Sequence, residues 1–446
     1  MLEKLFKLKE NGTTVQTEII AGATTFLSMA YIIFFQPALL SQAGMDFGSV
    51  MMATCIASAI ACLVMAFLAN YPIALAPGMG ENFYFVFTVV IGMGIAWEKA
   101  LGAVFISGVL FMVLTLFRIR EMIIDSIPSS LKNAIPAAIG LFITFIGLTY
   151  AGIVIKDPGG GIAVTGDFHA APTLLSLAGL LIILLLMIRE IKGSMLIGML
   201  ITAILGIFVG VVEFKGVVSA PPSLSPTFLK LDISGVFDVG FISVLAIFLL
   251  MDMFDTIGTL IGVGQATGLM EDGKLPRAQQ ALFADAVGTA TGALFGTSTV
   301  TSYIESTTGV RAGGRTGLTA VVVAALMLLA TFFSPLVSMI GGGTPILDAE
   351  GNLLYTLYPV IAPVLILVGS FMAKSISNCD FDDLTEAIPA FLTIAVMAFT
   401  FSISNGLAAG FILYPVLKLL SGRAKEVSWL MYVLCGLLIA KYVFIG

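Results

Sequence analysis

Apolar stretches long enough to cross a bilayer recur from one end of this chain to the other, and few patterns restrict a fold so severely. Lipid offers no partner to a backbone N–H or C=O, so such a chain must close its hydrogen bonds within helices. Fourteen segments can be marked, near 18–41, 48–69, 83–95, 97–117, 134–154, 172–189, 194–212, 238–263, 280–296, 303–311, 316–340, 358–374, 387–403 and 404–421. A further stretch, 428–445, reads equally as another span or as an interfacial helix. Only 11% of residues are charged and 59% are hydrophobic, whereas soluble domains carry about 25% charged residues. A soluble fold would need many helices that are apolar on every side, so the expectation is an all-α polytopic membrane protein of the cell membrane.

Charge placement supports the count. With the N-terminus in the cytoplasm and segments alternating, Lys99, Lys156, Lys215 and Lys230 fall outside. Of the 21 lysines and arginines, sixteen others, including Arg118, Arg120 and Lys274, fall inside, and only Lys441 is unassigned. That is the positive-inside asymmetry, which a miscounted span would scramble. No basic block suggests a nucleic-acid partner. The polar N-terminus MLEKLFKLKENGTTVQTE lacks the apolar core of a signal peptide, so the first span is expected to direct insertion. Cys55, Cys62, Cys379 and Cys435 form no Cys-x-x-Cys pair and suggest neither a disulfide frame nor a zinc site.

The halves echo one another at offsets near 220: FLSM at 26–29 with FLLM at 248–251, Ala74-Leu75 with Ala293-Leu294, and Pro136 opening one span as Pro359 opens another. A rival match, LKNAIPA at 131–137 with LTEAIPA at 384–390, pairs spans of different rank and is set aside. Seven spans per repeat is an odd number, so the second repeat runs inverted, the signature of secondary transporters.

Two carboxylates, Asp252 and Asp255, stand in the middle of the apolar run GFISVLAIFLLMDMFDTIGTLIGVG. A charge at the bilayer centre costs roughly 2.5–3.5 kcal/mol on insertion scales, and positions i and i+3 point to one side of a helix. That side must face a partner, a cavity or a substrate. Two other segments break the helical pattern: YPIALAPGMGENFYFVF at 71–87, with Pro77, Gly78 and Gly80, and the hydroxyl-rich FGTSTVTSYIESTTGV at 295–310. Each is expected to hold a short extended piece followed by a short helix near mid-membrane, where irregular backbone is tolerated only beside a cavity or buried in protein. Just past the breaks stand Glu81 with Asn82, and Glu305. Four acids and one amide therefore gather with no lysine or arginine at their depth. Coupling of proton movement to transport is the expected use, with at least one aspartate changing protonation. Glu81 reads also as a cap on its short helix, and Asp285 in FADAVGTATG as a structural bond to a broken span. The glycines of GTATGALFG read as close-packing positions, since no GK[ST] follows. Phe26, Phe83 and Tyr303 are candidates to stack on a flat ligand. His169, the one histidine, lies in an external loop and is poorly placed to carry the proton. Asp380, Asp382, Asp383 and Glu386 read as a solvated helix start.

The stretches TFLSMAYIIFFQPALL, APGMGENFYF, MDMFDTIGTL, ADAVGT, GTSTVTSYIESTTGVRAGGRTGLTAVVVA and LTEAIPAFLT resemble, in order and over nearly the whole chain, one family. It is the purine-permease branch (adenine, guanine and hypoxanthine; AzgA-like) of the second nucleobase:cation symporter family. The resemblance implies fourteen spans in two inverted repeats, and proton-coupled import of a purine base bound between a core and a gate. Residues 1–17 would be a cytoplasmic N-terminus. Spans 1–4 (18–133) and 8–11 (238–341) would form the core, spans 5–7 (134–213) and 12–14 (342–427) the gate. An external linker would occupy 214–237 and the last apolar segment 428–446. The family's substrate contacts fall on Asn82, Asp252, Asp255 and Glu305; Glu81 and Phe83 join the candidate binding set by position, and Asp252, Asp255 and Glu305 carry proton coupling. No cofactor is implied beyond the coupling proton, with sodium left open, and a homodimer through gate helices fits the architecture. The rival readings are a permease for an anion or another nucleobase, a cation channel, and an intramembrane aspartyl protease. An anion site would be expected to show a basic residue or a bare helix dipole, not four acids. A protease would need two aspartates from different helices sharing a proton.

Overall fold

The computed structural model describes residues 2–117, 127–155, 163–234, 239–267, 269–270, 275–347, 353–400 and 402–444. Arg118, Arg120, Lys156 and Lys274, and part of the 214–237 linker, lie outside them. The helices are α1 (Leu2–Phe6), α2 (Val15–Met29), α3 (Tyr31–Leu40), α4 (Phe47–Val64), α5 (Met79–Phe83), α6 (Trp97–Leu116), α7 (Ser129–Tyr150), α8 (Ala171–Ile188) and α9 (Ser194–Val209). The second half holds α10 (Val239–Thr267), α11 (Ala278–Phe295), α12 (Ser306–Arg311), α13 (Gly317–Ala330), α14 (Ser334–Gly341), α15 (Ala362–Ala373), α16 (Leu384–Thr400), α17 (Ile403–Leu420) and α18 (Trp429–Phe444). Each marked apolar segment is matched by a helix or by a strand followed by a helix; the segment 83–95 is the π-helical continuation of α5, Tyr84–Gly92. Among the described residues, eight helices are long and apolar enough to cross a membrane and four more are shorter apolar helices. The segment after residue 428 is α18; its Tyr442 hydroxyl donates to Asn405 Oδ1 on α17 at 2.6 Å.

The two breaks expected from the sequence meet. β1 (Leu75–Pro77) and β4 (Val300–Ser302) pair antiparallel, with Leu75 opposite Ser302 and Pro77 opposite Val300. The ladder extends beyond the strands: Gly78 N–H donates to Thr299 O at 3.0 Å and Tyr303 N–H to Ala74 O at 2.9 Å. Each extended piece is too short to stand alone, and pairing them satisfies backbone that would otherwise be stranded inside a bundle. α11 ends at Gly296, whose left-handed φ of 94° turns the chain into the second break. A Cβ there would run into Thr227. Gly288 and Gly292 let Ala61, Val300 and Ser298 approach α11, so these glycines do serve close packing. Two hairpins, β2 (Val154–Ile155) with β3 (Val164–Thr165) and β5 (Thr344–Leu347) with β6 (Leu353–Leu357), flank α7 and α15.

The halves are locked by a carboxylate that the sequence did not single out. Glu18 on α2 is wholly buried, and accepts from the backbone N–H groups of Arg315 (2.8 Å), Thr316 (3.3 Å) and Thr319 (3.1 Å) and from Thr319 Oγ1 (2.6 Å). A helix of the first half thus caps α13 of the second, where four N–H groups lack helical partners and the dipole favours an anion.

Two expectations are corrected. Pro136 does not open a span: α7 begins at Ser129, after Pro128, and carries Pro136 inside. Nor is the acidic run simply solvated. Lys418, 1% exposed, lies 2.9 Å from Glu386, 3.0 Å from Glu426 and 3.6 Å from Asp383, and Arg423 pairs with Asp383 and Glu426. A lysine buried at the end of α17 needs those anions, because an unpaired buried ammonium is costly.

Candidate functional site

The candidate site is the region of the β1–β4 pair, where α10, α3 and the two short helices pack together. Asp255 and Glu305 are partly open and lie within electrostatic reach of each other, and Glu81 within reach of Asp255. Tyr303 feels all three acids. None of Glu81, Asp255 and Glu305 forms an ion pair among the described residues. The acids of the two breaks and one of the span-8 aspartates therefore converge, as the sequence suggested.

Each acid has a different setting. Glu305 precedes α12, and its Oε1 accepts the hydroxyl of Tyr31 at 2.7 Å. Tyr31 begins α3, after a one-residue interruption of the first span at Ala30, and its ring lies 6.5 Å from that of Tyr303. Tyr303 in turn donates to the carbonyl of Pro77 at 2.6 Å, pinning one break to the other. Glu81 sits in the first turn of α5, 1% exposed, with its Oε2 lying over Gly78 and without a hydrogen bond. Gly78 leaves room for that oxygen; a Cβ would occupy the same space.

Asp252 faces elsewhere. It is wholly buried, and its Oδ2 accepts from Thr289 Oγ1 on α11 at 3.0 Å. Three residues advance a helix by about 300°, so i and i+3 differ by about 60°, enough to give two aspartates different neighbours. Asp285 plays the structural part expected of it. Its Oδ1 accepts from Ser302 N–H at 2.8 Å and Ser302 Oγ at 3.1 Å, and its Oδ2 from Thr256 Oγ1 at 2.7 Å.

Two candidates are committed to packing. Asn82 is wholly buried; its amide exchanges hydrogen bonds with Gln36, and its Oδ1 also accepts from Ser298. Gln36 Nε2 further donates to Thr297 at 3.0 Å and Ser298 at 3.1 Å. Phe83, expected as a surface for a flat ligand, is wholly buried among Phe35, Phe87 and Phe142. The neighbouring break packs against an apolar wall, and a ring next to Asn82 fills it. His169 is remote from the acids as expected: its side chain is 99% exposed beside Asp167. Tyr31 and Gln36 were missed, though a polar amide in the middle of YIIFFQPALL was itself a signal.

Comparison with known proteins places this geometry. A model of a permease family (Xan_ur_permease) matches residues 16–409. The adenine permease AdeP of Escherichia coli is 43% identical over all of this chain and 96% of its own. The guanine/hypoxanthine permease PbuO of Bacillus subtilis is 44% identical over 96% of this chain and 97% of its own. Among solved structures, the transmembrane domain of the cyanobacterial bicarbonate transporter BicA superposes with a TM-score of 0.64 at 15% identity, over 89% of this chain and 97% of that one. That likeness is one of fold. The chain is a multi-pass membrane transporter and not an enzyme, which removes the protease reading. It belongs to the permease family, in the branch of the adenine and guanine/hypoxanthine permeases.

Proposed function

We propose that this transporter imports purine nucleobases together with a proton, by alternating access of a core (18–133 and 238–341) against a gate (134–213 and 342–427), with the N-terminus in the cytoplasm. The observation that carries the reading is the convergence of Asp255 and Glu305, two partly open carboxylates without a cationic partner, beside paired broken spans. Such acids accept hydrogen bonds from the ring N–H groups of a base. Asp255 is the acid that changes protonation, because it opens on the site, whereas Asp252 is bonded to Thr289. Neutralising Asp255 lowers the cost of moving the loaded core past the gate. Asp252 and Asn82 act from behind, holding α10 and the first break in place; Phe83 fills the wall behind Asn82; Glu81 packs its carboxyl over Gly78 at the start of α5. The adenine and guanine/hypoxanthine permeases among its relatives support the choice of cargo.

The experiment is uptake of labelled purines in a strain lacking purine transport, with and without an uncoupler, and with sodium replaced by choline. The expected result is uptake that collapses with the uncoupler, survives sodium removal and is lost in Asp255→Asn. Uptake indifferent to both the uncoupler and that substitution would overturn the mechanism.

A further inference from the structure

The β1–β4 ribbon is only three residues long on each side, and it lies inside a bundle where a stranded N–H finds no partner. In an antiparallel pair, residues that bond across the ladder alternate with residues whose N–H and C=O point outward. The bonds from Gly78 N–H to Thr299 O and from Tyr303 N–H to Ala74 O set that alternation. They put the outward groups on Leu75 and Pro77 of β1 and on Val300 and Ser302 of β4. Each outward N–H is accounted for. Pro77 has none, and its carbonyl takes the Tyr303 hydroxyl. Ser302 N–H donates to Asp285. That leaves Leu75 and Val300, the first residue of each strand.

Both are held by a single side-chain atom on the helix ahead of the break. Leu75 N–H donates to Cys62 Sγ at 3.2 Å, and the same thiol donates to Leu75 O at 3.4 Å. Val300 N–H donates to Thr289 Oγ1 at 3.3 Å, and that hydroxyl donates to Val300 O at 3.0 Å. Cys62 lies on α4, 13 residues before Leu75, and Thr289 on α11, 11 residues before Val300. Both side chains are wholly buried. Only an atom that accepts and donates at once can take both backbone groups of one residue, and a thiol and a hydroxyl both qualify. Leu75 faces Ser302 and Val300 faces Pro77, so the two clamps occupy opposite corners of the ribbon, as a two-fold relation between the halves requires. The Thr289 hydroxyl also reaches Asp252 Oδ2 on α10 at 3.0 Å.

The ribbon carries the acids. β1 runs directly into α5 and Glu81, and β4 runs through Tyr303 to Glu305 and α12. A strand that shifts at its first residue shifts an acid with it. We infer that Cys62 and Thr289 are paired positioning residues for transport, each fastening the first residue of a broken strand to the preceding helix and so fixing where Glu81 and Glu305 stand. The choice of substrate in the test rests on the purine-import reading; the clamps themselves do not.

The test is the concentration dependence of labelled hypoxanthine uptake, scaled to the amount of protein in the membrane. Cys62→Ala and Thr289→Val remove the clamping atom with little change of shape. Each is expected to raise KM at least tenfold while changing the maximal rate less than threefold. Loss of folded protein alone would lower the maximal rate and leave KM where it was. Cys62 takes no part in the Asp252 bond, so a matching effect from Cys62→Ala excludes that bond as the cause. Thr289→Cys installs the thiol of the first half in the second, and Cys62→Ser does the reverse; each is expected to keep KM within threefold of the wild type. An unchanged KM in Cys62→Ala or Thr289→Val overturns the inference, and so does a tenfold rise in Thr289→Cys or Cys62→Ser. Hydrogen exchange of the purified proteins reads the clamps without any substrate. The Leu75 amide in Cys62→Ala and the Val300 amide in Thr289→Val are expected to exchange at least tenfold faster than in the wild type. Unchanged exchange overturns the inference even if the wild type takes up no purine, a result that by itself would sink only the import reading.

Discussion

Removing the Glu18 carboxylate tests how the two halves are joined. Its four hydrogen bonds do not weigh equally. Thr319 N–H also reaches Thr316 O at 3.2 Å, and the Thr319 hydroxyl can turn. The N–H groups of Arg315 and Thr316, just ahead of α13, have no such relief. Leaving a buried N–H without a partner costs about 1–3 kcal/mol. The lost anion at a helix N-terminus adds about 0.3–1 kcal/mol. Glu18→Ala is therefore expected to destabilise the protein by about 3–5 kcal/mol, the size typical of breaking a buried charged interaction. Glu18→Gln keeps one acceptor but turns an NH2 group toward other donors, for a cost of about 1–3 kcal/mol. Thermal unfolding of the three purified proteins in detergent checks this. The expected order of midpoints is wild type, then Glu18→Gln, then Glu18→Ala. An alanine variant that melts with the wild type, or above the glutamine variant, would refute the reasoning.

Three further outcomes follow from α15, α16, α17 and the residues between them. Lys418→Met leaves Glu386 without a cation while Arg423 still holds Asp383 and Glu426, and should cost about 1–3 kcal/mol, read as a lower unfolding midpoint; adding Glu386→Gln should recover part of it. The Thr385 hydroxyl and the Arg423 guanidinium beside Asp383 hold its carboxyl below the usual carboxylate range, so its contribution is present above the unfolded-state value of about 4 and is lost as pH falls below that. Asp383→Asn should accordingly lower the unfolding midpoint at pH 7 and shrink that difference as the pH drops through the acid range. Where α7 crosses α15, a Cβ on Gly369 would strike the Gly140 carbonyl and Thr144. Gly369→Ala should therefore cost about 1–3 kcal/mol and reduce the monodisperse fraction on size exclusion in detergent.

Much of the frame can be read from the residues in order. The apolar runs place the helices, because a backbone in lipid has few other choices. Pro77, Gly78 and Gly80 mark the first break and the threonine-rich run the second, and both become short strands followed by short helices. The insertion cost of bare acids singles out Asp252, Asp255, Glu81 and Glu305 alike, without any coordinates. What stays hidden is pairing at long range. Asn82 looks like a ligand contact until Gln36, 46 residues earlier, and Ser298, 216 later, take up its amide. Glu18 looks like an ordinary first-turn acid, yet it caps a helix about 300 residues away. Lys418 looks like a lysine at a helix end, yet it is buried under three acids. Helical spacing groups Asp252 with Asp255, but it does not say that a 60° offset would hand one to Thr289 and leave the other open.

The most direct measurement is uptake of labelled hypoxanthine by the purified protein in proteoliposomes with an imposed pH gradient, wild type beside Asp255→Asn. Accumulation that follows an outside-acid gradient, vanishes when the gradient is dissipated and is absent in Asp255→Asn is the expected result. Accumulation that ignores the gradient and persists in the variant would contradict the account.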